Sequence, residues 1–203
     1  MKIRRSALLV ATCLVGLWSS AFGAADGSQL KLPDGVDLAI VVFEDLQCPD
    51  CRRAHPDLVE AARVNGVPLI VHDYPIPRHA WAFPAAVLAR YFSAQSPALG
   101  MDFRGFIFQN QPGLGPDNLR AFGEKFAVNH QQQLPGDVDP DGRLAAQVQA
   151  DFELGKKIQL EYVPLMFVIE RVGDASRAVE AKEAKDVNAI IDRIRRGGSP
   201  SQP

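Results

Sequence analysis

The sequence predicts an α/β fold, a central sheet flanked by helices and interrupted by a helical insertion of about eighty residues. Three observations predict it. Residues 37–43, DLAIVVF, form a continuous apolar run rich in β-branched residues, the pattern of a central strand covered on both faces. Directly after it the apolar spacing changes to three and four, that of an amphipathic helix. After a long helical block, a second apolar strand pattern, PLMFVIE from Pro164 to Glu170, returns to the sheet. With 203 residues, 47% of them hydrophobic and 23% charged, the chain is large enough for one domain with a substantial core.

Taken in order, Pro49 restricts the backbone after the first strand. Cys51, Ala54, His55, Leu58, Val59 and Ala62 then share one helical face, opposite Arg52, Arg53, Glu60 and Arg63. Asn65-Gly66 ends this helix, because glycine accepts the left-handed cap. Residues 67–76, VPLIVHDYPI, read as a second short strand stopped by Pro75 and Pro77. From about residue 78 to 157 the pattern is helical in four pieces, WAFPAAVLARYFSA, MDFRGFIFQN, NLRAFGEKFAVN and GRLAAQVQADFELGKKI, parted by loops rich in glycine and proline. Trp81, Phe83, Tyr91 and Phe92 read as core aromatics, while His79 and Trp81 also stand where a substrate surface would begin. SRAVEA is a hairpin mate for the last apolar strand, and DVNAIIDRIRRG closes the chain as a helix with Val187, Ile190, Ile191 and Ile194 inward. The helical block begins and ends between sheet elements, so residues 37–197 read as a single domain. Residues 25–36 read as an exposed leader and 198–203 as a flexible tail.

The N-terminus has a separate purpose. MKIRR supplies a basic start, residues 6–22 are almost wholly apolar, and AFGAADG offers small residues for cleavage. Residues 1–24 therefore read as a secretory signal peptide cut near Gly23 to Ala25, and the domain as periplasmic or otherwise exported. The alternative, an uncleaved anchor, has a short apolar stretch for a full span. Cleavage removes Lys2, Arg4 and Arg5 and no acid, leaving 19 basic residues against 24 acidic, a formal net charge of −5. That balance argues against a nucleic-acid partner.

Export also leaves only Cys48 and Cys51, since Cys13 departs with the signal peptide. A bridge across Pro49 and Asp50 closes almost no loop and would be of little use as a staple. A zinc site would need further ligands. A copper site using both cysteines and His55 or His79 is the metal alternative. Chemistry at a helix N-terminus explains the pair better. Cys48, ahead of the first turn, feels unpaired N–H groups and the positive end of the helix dipole, which favour thiolate over thiol, within about 3.5 to 7.5 for such motifs. Cys51 lies one turn on, facing the core. Cys48 then attacks or is attacked, and Cys51 resolves the mixed disulfide.

QCPDCRRAHP, with the strand before it, resembles the active site of thioredoxin-fold oxidoreductases, and the helical insertion resembles that of the DsbA-type branch. Pro56 resembles the proline that kinks the active-site helix in that family, and HDYPIPRHAWAFPAA its segment leading into the insertion. Val163-Pro164 resembles its cis-proline loop; cis costs about 0.5–1 kcal/mol at proline. The resemblance runs from about residue 37 to 196. It implies a thioredoxin fold with a mixed sheet, and a thiol:disulfide oxidoreductase with no cofactor beyond a redox-active Cys48–Cys51 disulfide. It further implies protein substrates with cysteines, docked as an added strand at Val163 and Pro164, and a membrane redox partner that reoxidises the pair. Only residues 25–36 separate the signal peptide from the first strand, too few for the dimerisation domain of dimeric isomerases, so a monomer is expected.

Two positions depart from the family pattern. Many relatives carry a buried acid six residues before the first cysteine; here that residue is Val42. Glu44 has the strand parity of Val42, making it the candidate substitute, whereas Asp45 has the opposite parity. Strongly oxidising relatives place a histidine before the second cysteine; here it is Asp50, whose charge would disfavour the Cys48 thiolate. Pro49, Asp50 and Glu44 are therefore the expected tuning residues. The expected potential is intermediate or lower between about −120 and −270 mV. A disulfide donor is the leading function. A reductase or isomerase of the same fold, and a non-catalytic copper-binding or chaperone protein, are the alternatives.

Overall fold

A computed structural model describes residues 25–197. The signal-peptide segment with Cys13 and the expected flexible tail lie outside the described residues.

The first strand, β1 (Leu38–Glu44), runs straight into α1 (Pro49–Asn65). Proline at the first helical position needs no donor there, and Gly66 ends the helix at φ 60°. The chain returns as β2 (Leu69–Asp73), then enters the insertion: α2 (Ala82–Gln95), α3 (Pro97–Asn110), α4 (Leu119–Asn129) and α5 (Arg143–Lys157). It closes with the hairpin β3 (Leu165–Val172) and β4 (Ala175–Ala181), then α6 (Asp186–Arg195). The sheet order is β2-β1-β3-β4, with β1 parallel to β2 and antiparallel to β3, and β3 antiparallel to β4. A parallel β1–β2 pair requires a crossover, and α1 supplies it.

The sheet is covered on both sides, as the continuous apolar strands require. Ile40, Val42, Met166 and Val168 pack with Leu58 and Ala61 of α1 and with Val187, Ile190, Ile191 and Ile194 of α6. Ala39, Val41, Phe43, Phe167 and Ile169 belong to the larger layer shared with Phe92, Phe103, Ile107 and Phe126 of the insertion. Phe92, Phe103 and Phe126 meet one another with ring centroids 4.7–5.1 Å apart, binding α2, α3 and α4 together. Phe83, read as a core aromatic, lies instead at the surface, 36% exposed.

Residues 25–36 are not the exposed leader their composition suggests. Leu30 and Leu32 are buried, and a short 3-10 helix at Gly27–Gln29 lies against the sheet. Gly27 sits so close to β3 and β4 that a Cβ there would come within 2.7 Å of Ala178 and 2.9 Å of Phe167. The Asp26 N–H donates to Ile158 C=O at 3.0 Å, and Arg171 donates to the carbonyls of Pro33 (2.8 Å) and Val36 (3.2 Å). The physical reason is coverage: the segment's leucines bury apolar surface of the layer that the insertion shares with the sheet.

Candidate active site

The end of β1 delivers Glu44, Asp45, Leu46 and Gln47 into a tight connection, and Cys48 becomes the N-cap of α1. Both cysteines are free thiols, Cys51 fully buried and Cys48 7% exposed. The Cys51 side chain donates to Cys48, and the N–H groups of Cys51 and Asp50 point the same way. Against burial and the charge of Asp45, these lower the Cys48 pKa to about 6. Cys51 goes the other way. Burial, its bond to Cys48, and the Cys48 and Glu44 charges push its thiol far up, although its Sγ accepts the Asp45 N–H at 3.4 Å. One thiol is poised to ionise and its neighbour to keep its proton.

Across from them the Val163-Pro164 peptide is cis, and Cys48 Sγ donates to Val163 C=O at 3.8 Å. Thus Val163 and Pro164, 115 residues away in sequence, meet the CPDC turn. Asp50 is placed differently from its expected role. It lies on the exposed surface of α1 paired with Arg53, and the carboxylate that opposes the Cys48 thiolate is Asp45. Pro49 occupies the first turn, as its fixed φ favours.

Glu44 is buried at the end of β1, facing Asp73 across the parallel register. Arg104 of α3 bridges the two, 3.1 Å to Glu44 Oε1 and 2.7 Å to Asp73 Oδ1, and His55 Nδ1 lies 3.3 Å from Glu44 Oε2. Burial pushes the Glu44 carboxyl up, but His55 and Arg104 outweigh it and hold the group below the usual carboxylate range. The string continues through Arg90, 2.5 Å from Asp73 Oδ2, to Asp151 and then His72, 2.7 Å from Asp151 Oδ1.

Two residues of the site, Gln47 and Gln111, went unread in the sequence, and a third, Asp45, was set aside there on strand parity. Asp45 is 1% exposed and accepts from the N–H groups of Gln47 (2.6 Å) and Ile76 (2.7 Å) and approaches His79 Nδ1 at 2.8 Å. Its signal was local: an aspartate accepting from the second N–H on makes an Asx-turn. Gln111, in the 3-10 turn after α3, donates from Nε2 to the carbonyls of Leu46 (2.9 Å) and Cys48 (3.1 Å). Gln47 Oε1 accepts the Trp81 N–H at 3.0 Å. No local pattern marks either glutamine, since Gln47 meets Trp81 at the start of the insertion and Gln111, within the insertion, reaches back to Leu46 and Cys48. Beside α1 an open groove of about 810 Å³ runs between Arg52, His55 and Pro56 and the residues Met101, Phe106 and His130. Among the described residues no cluster of three or more His, Cys, Asp or Glu has metal-site geometry, and no helix is long and apolar enough to cross a membrane.

A dithiol at the N-cap of a helix, set against a cis-proline loop on a mixed four-stranded sheet, defines a thioredoxin fold, here with a DsbA-like helical insertion. The chain belongs to the thioredoxin family, whose model matches residues 37–193. Among solved structures it is similar to alpha-DsbA1 from Wolbachia pipientis, at 15% identity and a TM-score of 0.64, covering 86% of this chain and 97% of that one. It is similar also to the thiol-disulfide exchange protein alpha-DsbA2 of the same organism, at 15% identity and TM-score 0.62, over 80% and 84% of the two chains. Reduced DsbA1 from Neisseria meningitidis gives 15% identity and TM-score 0.60, over 83% and 87%. At these identities the likeness is one of fold. No curated protein matches the chain.

Proposed function

We propose that the protein is an exported thiol–disulfide oxidoreductase that donates the Cys48–Cys51 disulfide to cysteine-containing protein substrates. The observation that carries this reading is the placement of the pair: Cys48 caps α1 with Cys51 buried one turn on, and Cys48 Sγ faces the carbonyl of the cis Val163-Pro164 peptide, with the two thiols shifted in opposite directions. A substrate thiolate attacks Cys48 Sγ, the Cys48–Cys51 bond breaks, and Cys51 leaves and takes a proton. A second substrate thiolate then attacks its own mixed-disulfide sulfur and expels Cys48 as a thiolate. The substrate loses two electrons to the pair, and a stable Cys48 thiolate makes it the better leaving group. A membrane redox partner would return the pair to the disulfide.

Val163 and Pro164 are the docking edge in this reading, with Val163 C=O beside the sulfur under attack. Pro49 and the backbone it starts present N–H groups to Cys48. Glu44, held ionised by His55 and Arg104, acts as a fixed negative charge that keeps Cys51 protonated rather than as a proton carrier. Asp50 turns to Arg53 on the exposed surface of α1, and its backbone N–H points at Cys48, which favours the donor over the reductase. Export rests on the signal-peptide pattern of residues 1–24.

The test is trapping with a reduced, unfolded cysteine protein. Starting as a mixed disulfide with a small thiol, Cys51→Ala is expected to accumulate a protein–protein adduct at Cys48, and Cys48→Ala to form none. Equilibration of the wild-type pair with glutathione then sets direction. A potential near the oxidising end supports the donor, one near about −270 mV the reductase. Failure to equilibrate at all sinks the redox reading.

A further inference from the structure

Asp45 presents an unusual balance. Its carboxylate is buried, opposes the Cys48 thiolate, and has no basic side chain among its bonds except the imidazole of His79. Its other partners are backbone N–H groups, Gln47 within the same loop and Ile76 beyond β2, while its own N–H donates to Cys51 Sγ. Asp45 therefore touches both halves of the couple through its backbone, its carbonyl accepting the Cys48 N–H at 3.0 Å and its N–H donating to Cys51 Sγ at 3.4 Å, while its charge opposes the Cys48 thiolate. The segment leading into the insertion thus reaches that carboxylate twice, through the Ile76 N–H and through the His79 side chain.

The two other carboxylates near the pair already have cationic partners. Asp50 pairs with Arg53, and Glu44 with Arg104 and His55. Gln111 meets the Cys48 carbonyl but carries no charge. From the Val163-Pro164 loop, only the Val163 carbonyl meets the Cys48 sulfur.

We propose that His79 is a positioning residue for the Cys48–Cys51 couple: by donating from Nδ1 to the buried Asp45 carboxylate, it offsets the charge that faces Cys48 and fixes the loop whose N–H meets Cys51. Loss of the donor leaves Asp45 with two backbone N–H groups and a larger effective charge. The Cys48 thiolate is then less favoured, and the reduced form loses ground to the disulfide.

The inference rests on the oxidoreductase reading for its consequence, but its first readout needs no substrate. In the reduced protein the far-ultraviolet absorbance of the Cys48 thiolate is titrated with pH for wild type, His79→Ala and His79→Asn, with circular dichroism as the check on folding. His79→Ala is expected to move the titration upward by about half to one unit. Starting from about 6, a full unit shifts the glutathione equilibrium at neutral pH about fivefold toward the disulfide. His79→Asn, whose amide Nδ2 stands where Nδ1 stood, should return both readouts toward wild type. An unmoved titration in folded His79→Ala overturns the proposal, as does a His79→Asn titration displaced as far as that of His79→Ala. Should His79→Ala not fold, His79→Gln, with its amide one bond further out, must show the upward displacement in smaller measure, and an unmoved curve there overturns it equally. A displaced titration in a protein that never exchanges disulfides would refute the enzyme reading while leaving this one standing.

Discussion

The sheet meets its two coats in different ways. Toward α1 and α6 the contact is dry: Ile40, Val42, Met166 and Val168 against Leu58, Ala61, Val187 and Ile191. Toward the insertion it is apolar as well, but at the ends of β1 and β2 it holds a buried string of charges from Glu44 and His55 through Arg104, Asp73 and Arg90 to Asp151 and His72. An apolar seam tolerates any filling of the right volume and pattern. A charged one is demanding, because each group must find its partner or lose several kcal/mol. The insertion is therefore registered against the active-site end of the sheet by several specific pairs, whereas α6 is held by area and α1 by area with one buried pair, His55 with Glu44.

The largest test of this contrast is Arg104→Met. It leaves Glu44 and Asp73 facing each other without their cation, and is expected to cost about 3–5 kcal/mol in urea unfolding. A cost below about 1 kcal/mol would mean the string contributes no more than surface pairs do. The next effect is expected with pH. Burial raises the carboxyl groups of Glu44 and Asp151, but their cationic partners more than reverse it and hold both below their ordinary values of 4.5 and 3.8. A lowered folded-state pKa gives stability that is complete above the ordinary value and is lost as pH falls through the lowered one. Melting temperature should thus fall on acidification below about pH 4.5, and less steeply in Asp151→Asn. An equal slope in both proteins would remove Asp151 from the account. The smallest effect belongs to the dry seam: Ile191→Val should cost about 0.5–1.5 kcal/mol at any pH in this range.

The same contrast explains what could be read from the sequence. The β1–α1–β2 order, the Gly66 cap, the hairpin and the inward residues of α6 were legible because each depends on a short-range pattern. The CPDC turn was legible as the start of a helix after a buried strand, and Pro164 through the family resemblance. Arg104 and Arg90 were not, because a cation in an amphipathic-looking helix reads as solvated, and only tertiary pairing with Glu44, Asp73 and Asp151 makes it a core residue. The outward turn of Asp50 to Arg53 was equally hidden, because proximity in sequence to Cys48 says nothing of where the side chain lies. Asp45 carries that weight because the end of the strand turns its carboxylate inward.

The segment before β1 has a practical consequence for producing the protein. Family similarity begins at residue 37, which invites an expression boundary there. Such a cut would discard Leu30 and Leu32 and unroof Phe167 and Ala178, against which Gly27 lies. It would also take away the carbonyls that receive Arg171. The trimmed product would carry an oily, unsheltered flank on a chain that also bears a reactive thiol, a combination that promotes clumping and mispaired bridges during purification. Starting at residue 25 keeps that flank roofed, so the useful beginning of the domain lies a dozen residues upstream of where the family match begins.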